Sequence, residues 1–130
     1  LSDRLVAVID AMVVDENTMG LKIGLFGAST GAAAALVAAE RRNKFVSAVV
    51  SRGGRVDLAA DVFDDVHAPT LLIVGANDHD VLKLNQDAIS RLACAKHLAM
   101  VDGASHLFEE PGSLEQVARL AEDWFVKHLK

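Results

Sequence analysis

The sequence predicts an α/β fold, a parallel sheet of about four strands with helices on both faces. Three observations predict it. Two kinds of apolar segment alternate along the chain: short runs closed by glycine, and longer stretches with a helical period. The short runs are too continuously apolar to have one wet face, which is how strands buried on both sides of a parallel sheet read. No repeat, low-complexity tract or long linker divides the 130 residues, so residues 1–130 are expected to form a single domain around one core.

Ser2 to Val14 carries Leu5, Val6, Val8, Ile9, Met12 and Val13 at helical spacing, with Ser2 as the expected N-cap. Asn17 to Gly20 is turn chemistry. Lys22 to Gly27 is a short apolar run ending in glycine, hence a buried strand. Thr30 to Arg42 is alanine-rich and closes on basic residues that suit the negative end of a helix dipole. Val46 to Ser51 reads as a strand, Gly53-Gly54 as a loop, and Asp57 to Val66 as a short helix or turn. Pro69 to Gly75 is the clearest strand, with four apolar residues in a row between proline and glycine. Val81 to Leu92 reads as a helix and His97 to Val101 as a strand. Ser113 to Leu129 is a helix with Leu114, Val117, Leu120, Ala121, Trp124, Phe125 and Leu129 on one face. Ser113 and Gln116 there make a capping-box pattern. The Met and Phe positions are expected in the core.

Composition narrows the function. The chain is 52% hydrophobic and 24% charged, a globular profile. Its net charge of -5 is spread along the chain, which argues against nucleic acid and anionic membrane as partners, since both need clustered Lys and Arg. The lone Cys94 cannot form an internal disulfide and fits a reducing, cytoplasmic setting. The apolar stretch from Leu5 to Val14 is interrupted by Asp10 and too short to span a membrane, and it is expected to be a core-facing helix rather than a signal peptide.

The chemistry centres on Gly27-Ala28-Ser29-Thr30-Gly31, a G-x-S-x-G motif between a strand and a helix. That context lifts a serine hydroxyl above the sheet edge on a strained turn. Glycine at 27 and 31 is expected because strand and helix must nearly touch. The Thr30 backbone N–H, at the helix N-terminus, is the candidate oxyanion donor. A serine nucleophile needs a base, and the base needs a carboxylate. The order Ser, Asp, His is available: Asp78 follows the strand ending at Gly75, and His106 follows the strand ending at Val101. Asp80 is a second candidate acid. Asp102, Glu109 and Glu110 are expected in solvent, and His67, His79, His97 and His128 at surface or element-terminal positions. Arg52 and Arg55 flank Gly53-Gly54 at the ligand-binding end of the sheet; they suit a substrate carboxylate, though surface ion pairs are the simpler reading. Neither metal nor cofactor is expected, because no ligand set has suitable spacing.

These motifs, with Gly75-x-x-Asp78-x-x-Val81 and Gly103-Ala-Ser-His106-Leu-Phe-Glu-Glu-Pro, resemble the dienelactone-hydrolase-like branch of the α/β-hydrolases over essentially all 130 residues. The chain looks closest to hydrolase domains sometimes fused to phosphoribosyltransferases. The resemblance implies Ser29 as nucleophile, Asp78 as acid and His106 as base. Dienelactone hydrolases use a cysteine nucleophile, so serine implies ordinary ester hydrolysis: a serine esterase acting through an acyl-enzyme on small, short-acyl esters. The short connection between the second and third strands leaves no room for a lid, which also implies small substrates.

The departure from the family lies at the front. About four strands usually precede the elbow strand, and their third loop supplies a second oxyanion donor. Here only one helix precedes it, so the chain is expected to be the C-terminal half of such a domain. Lys22 to Gly27 then becomes a sheet edge, an association template covered by a second copy of the chain or by another segment. Homo-oligomerisation through that edge is the expected assembly. Two other functions fit the motifs: a catalytically weak half-domain acting by self-association or complementation, and a phosphate-binding α/β module using the Gly27 to Gly31 turn.

Overall fold

The computed structural model describes residues 1–130. Four strands form one parallel sheet in the order β1-β2-β3-β4: β1 (Ile23–Ala28), β2 (Val46–Arg52), β3 (Thr70–Gly75) and β4 (Lys96–Val101). Four α-helices accompany them: α1 (Ser2–Val14), α2 (Thr30–Arg41), α3 (His79–Arg91) and α4 (Ser113–His128). Between β2 and β3 the chain runs through 3₁₀ turns, Val56–Asp65, with a kink at Ala59. The fold is of the predicted α/β class, and the strand bounds lie within one residue of those read from the sequence.

Two apolar layers hold the sheet. On one face Leu25, Val49 and Leu72 meet Ala32, Ala35 and Leu36 of α2, Phe63 of the 3₁₀ segment and Ala88 and Leu92 at the end of α3. Alanine after alanine lets α2 lie close against the strands, and its residues 32–36, 38 and 39 are all buried. On the other face Val50, Leu71, Ile73, Ala99 and Val101 pack on Phe108 and on Val117 and Ala121 of α4. Every residue of β3 is buried, as expected of a central strand covered on both faces. Helix α1 packs on α2 through Val6 and Ile9 and is pinned at its rim by Arg41 to Asp3 (2.7 Å) and by Arg42 to both Asp10 carboxylate oxygens (2.6 and 2.8 Å). No helix is long and apolar enough to cross a membrane.

Several local expectations are corrected. Leu1, not Ser2, precedes the first turn of α1, and its carbonyl accepts the Leu5 N–H at 3.2 Å. The capping box at α4 does not form: Gly112 is the N-cap and Ser113 is already helical and buried. The buried stripe of α4 therefore runs through Ser113, Val117 and Ala121, and Leu114, one position round the helix, faces solvent. Helix α3 starts two residues before Val81, which makes Asp78 its N-cap. Phe63 and Phe108 are core residues, but Phe26, Met19 and Met100 are exposed. Phe26 is exposed because β1 is an edge strand, paired to β2 alone.

Candidate active site

One residue, Ser29, separates the last residue of β1 from the first of α2. So tight a reversal forces its backbone to φ 51°, ψ -123°, a positive-φ conformation that costs a non-glycine residue of the order of 1–3 kcal/mol. Three backbone hydrogen bonds hold it there. Its N–H donates to Arg52 O (3.3 Å), and its carbonyl accepts from Ala32 N–H (3.2 Å) and Arg55 N–H (3.0 Å). Gly27 must be glycine, since a Cβ would overlap the carbonyl oxygen of Gly31 and sit 2.7 Å from Ala32 Cα. Gly31 is different: a Cβ there meets nothing within 4 Å. Its side opens on a groove of about 370 Å³ between α1 and β1, bordered also by Leu1, Leu5, Val8 and Phe26. The expected contact at position 31 is therefore made only by its backbone against Gly27. The N–H of Thr30 opens α2 and has no acceptor within the helix.

His106 and Asp78 reach Ser29 from the ends of neighbouring strands. Ser29 Oγ lies 2.9 Å from His106 Nε2, and His106 Nδ1 lies 2.7 Å from Asp78 Oδ2. A carboxylate only accepts hydrogen bonds, so it selects the tautomer with the proton on Nδ1 and leaves Nε2 free to accept from the serine hydroxyl. Asp78 is mostly withdrawn from solvent (13% exposed) while His106 keeps an open side (39%). The two loops are tied together, for Asn77 N–H donates to Ala104 O at 3.0 Å. Their close approach requires Gly75, where a Cβ would overlap Ala104 O. The His106 loop is anchored by Phe108, which is buried at φ 56°.

The other sequence candidates are elsewhere. Asp80 is exposed in the first turn of α3 and does not bond His106. Asp102, His67, His79 and His97 face solvent, and His128 packs on Trp124 with ring centroids 4.3 Å apart. Burial, and then the neighbouring Lys127, hold the His128 imidazole below its usual pKa. Arg55 forms the expected ion pair, with Asp57 at 3.0 and 2.9 Å. Arg52 does not: its guanidinium lies 5.7 Å from the centre of the Phe108 ring, with Nε buried and unpartnered.

Two contributors were missed from sequence. Glu110, expected in solvent, accepts the Ser105 N–H at 3.0 Å and so braces the residue before His106. That bond is the main reason its carboxyl is held below the ordinary glutamate value. Gly53, at φ 55°, lets the backbone pass against the imidazole, since a Cβ would stand 3.3 Å from His106 Nδ1.

Comparison with known proteins bears on the family and the fold. The sequence profile of the dienelactone hydrolase family matches residues 1–129. Two Mycobacterium tuberculosis proteins, from strains CDC 1551 and H37Rv, are 56% identical over 129 residues and carry a provisional phosphoribosyl transferase name. The match takes in 99% of this chain but 29% of theirs. The crystal structure of dienelactone hydrolase from Anabaena variabilis superposes with a TM-score of 0.98 at 52% identity, over 99% of this chain and 60% of that one. A monoacylglycerol lipase from Paleococcus ferrophilus, 18% identical, shares the fold at a TM-score of 0.80 over 98% of this chain and 76% of its own. The chain thus spans under a third of the curated relatives it matches, and the family profile takes in residues 1–129 of this chain. A sheet, an elbow and a profile match over nearly every residue lead to one assignment: this chain belongs to the dienelactone hydrolase family, with an α/β-hydrolase fold.

Proposed function

We propose that the chain is a serine hydrolase of small carboxylic esters, with Ser29, His106 and Asp78 as its catalytic triad. One observation carries the reading: the unbroken line from Ser29 Oγ through His106 Nε2 (2.9 Å) and Nδ1 to Asp78 Oδ2 (2.7 Å). In it Ser29 Oγ attacks the ester carbonyl carbon as its proton passes to His106 Nε2. Asp78 holds the ring and stabilises the imidazolium. The Thr30 N–H faces the developing oxyanion at the positive end of α2. His106 returns the proton to the departing alcohol, and water, activated by the same imidazole, releases the acid from Ser29. Short acyl groups suit the site because the connection after β2 packs into the core through Val56, Ala59 and Phe63 rather than closing over the rim.

The test is labelling by a fluorophosphonate with mass-spectrometric mapping, alongside turnover of short-chain p-nitrophenyl esters. The expected adduct is on Ser29. Ser29→Ala should remove it and lower kcat by ~10⁴-fold or more, with the circular dichroism unchanged. Turnover by Ser29→Ala at the native rate, or faster turnover of long-chain than short-chain esters, overturns the reading.

A second reading is a weakly active unit that works in association. Two considerations favour it: the mechanism proposed above draws on a single oxyanion donor, the Thr30 N–H, and β1 is paired to β2 alone. A missing donor typically costs ~10²–10³ in kcat. Slow adduct formation at Ser29 that accelerates with protein concentration would distinguish this reading from the first.

A further inference from the structure

The triad sits on three loops, and each loop needs something to hold it in phase with the others. The segment Gly53–Arg55 after β2 touches two of the three residues. Gly53 backs onto the His106 imidazole, and Arg55 N–H grips the Ser29 carbonyl at 3.0 Å. The third residue, Asp78, is the N-cap of α3. A single side chain joins that helix to that segment. Asn85, fully buried on α3, donates from Nδ2 to Gly54 O at 2.9 Å and to Val81 O, one turn back, at 2.8 Å.

Nothing in the core packing calls for an amide there. Its Oδ1 is buried without a partner, as is Ser51 Oγ, which lies hard against Gly54. An unpaired buried acceptor is destabilising, a cost an apolar residue of the same shape would not incur. The amide orientation is determined as well, because the reverse rotamer would set Oδ1 against two carbonyl oxygens.

We infer that Asn85 is a positioning residue, which locks the helix carrying Asp78 to the loop that seats Ser29 and His106 and so sets the Ser–His–Asp alignment. The inference rests on the triad reading above. A misplacement of about 1 Å costs ~10²-fold in rate, so a small slip of α3 against Gly54 is enough to be read.

The experiment uses the whole 130-residue chain with three substitutions. Asn85→Leu keeps the volume and removes the donors. Asn85→Asp keeps the shape but turns the donor into an acceptor facing two carbonyls. Asn85→Gln keeps the amide on a longer arm. Each is measured well below its unfolding midpoint for kcat, KM and the fluorophosphonate labelling rate. Proton NMR follows the downfield resonance of the His106 Nδ1 proton, a signature of its bond to Asp78 that needs no turnover. The expected result for Asn85→Leu and Asn85→Asp is a 10- to 100-fold fall in kcat and labelling rate at nearly constant KM, with the Nδ1 resonance shifted or broadened. Asn85→Gln should recover part of both. A lower melting temperature with the resonance and labelling rate unchanged overturns the inference and leaves Asn85 a stabilising residue only. Failure of the parent chain to label at Ser29 removes the triad reading. An Nδ1 resonance that still responds to Asn85→Leu would then support the alignment role by itself, and an unmoved one would overturn it too.

Discussion

At the residue scale the site depends on a strained serine and on groups that stiffen its surroundings. Ser29 stays at φ 51° because Arg52 O, Ala32 N–H and Arg55 N–H together over-determine its backbone. Glu110 plays the same part for His106 by accepting the Ser105 N–H. Because its carboxyl titrates lower in the fold than in the unfolded chain, the bond stabilises the fold at every pH above the ordinary glutamate value of ~4.3. The contribution is lost as pH falls through the lower, folded value. Hydrogen exchange should show this locally. At pH 7 Glu110→Gln should lower the protection factor of the Ser105 amide, and as pH falls through the lowered folded value the native chain should approach the variant. Equal protection at pH 7 would show that the carboxylate charge does not brace the loop. A pair of glutamates before a proline carries no periodic signal, so the sequence could place Glu110 in a loop but not find its acceptor role.

At the scale of elements, the site is built from strand ends brought within contact distance, and glycines permit the approach. Gly75 is the tightest case against backbone, since the His106 loop crosses directly over the end of β3. Gly75→Ala is expected to destabilise the fold by ~1–3 kcal/mol through overpacking. It should also slow Ser29 labelling more than that loss of stability explains, because the displaced backbone is Ala104–Ser105. Urea unfolding and labelling rate together test this, and a variant as stable and reactive as the parent chain refutes it. Gly27 belongs to the same class, whereas Gly31 does not, for its Cβ direction is open. The start of α3 matters as much. With Asp78 as N-cap its side chain lies ahead of the first turn, while Asp80, inside that turn, is carried round the helix into solvent.

For the whole molecule, the dominant feature is the free side of β1. Its outer N–H and C=O groups have no strand partner, Phe26 is 50% exposed, and the groove toward α1 is lined by apolar side chains. Such an edge pairs with whatever strand is supplied. The 130-residue chain in isolation is therefore expected to associate, with sedimentation showing species above 13.8 kDa as concentration rises. Phe26→Lys should return it toward the monomer by placing a charge on the apolar face of the edge. A chain that stays monomeric at all concentrations sinks this prediction.

What the sequence determined by itself was local and periodic. Apolar runs ending in glycine marked the strands, the alanine-rich stretch marked a helix that could lie close to the sheet, and G-x-S-x-G between them marked the elbow. Those signals lie within a few residues of one another, so no knowledge of distant contacts was needed. The tertiary structure decided what depends on rotation and distance. It placed Asp78 rather than Asp80 against His106, and paired Arg55 but not Arg52 with a carboxylate. It also turned Leu114 outward and buried an amide at Asn85. A side chain one or two positions along a helix turns by 100° or 200°, and a hydrogen bond is lost within an ångström. Choices of that size are settled only when the strands, helices and loops are packed together.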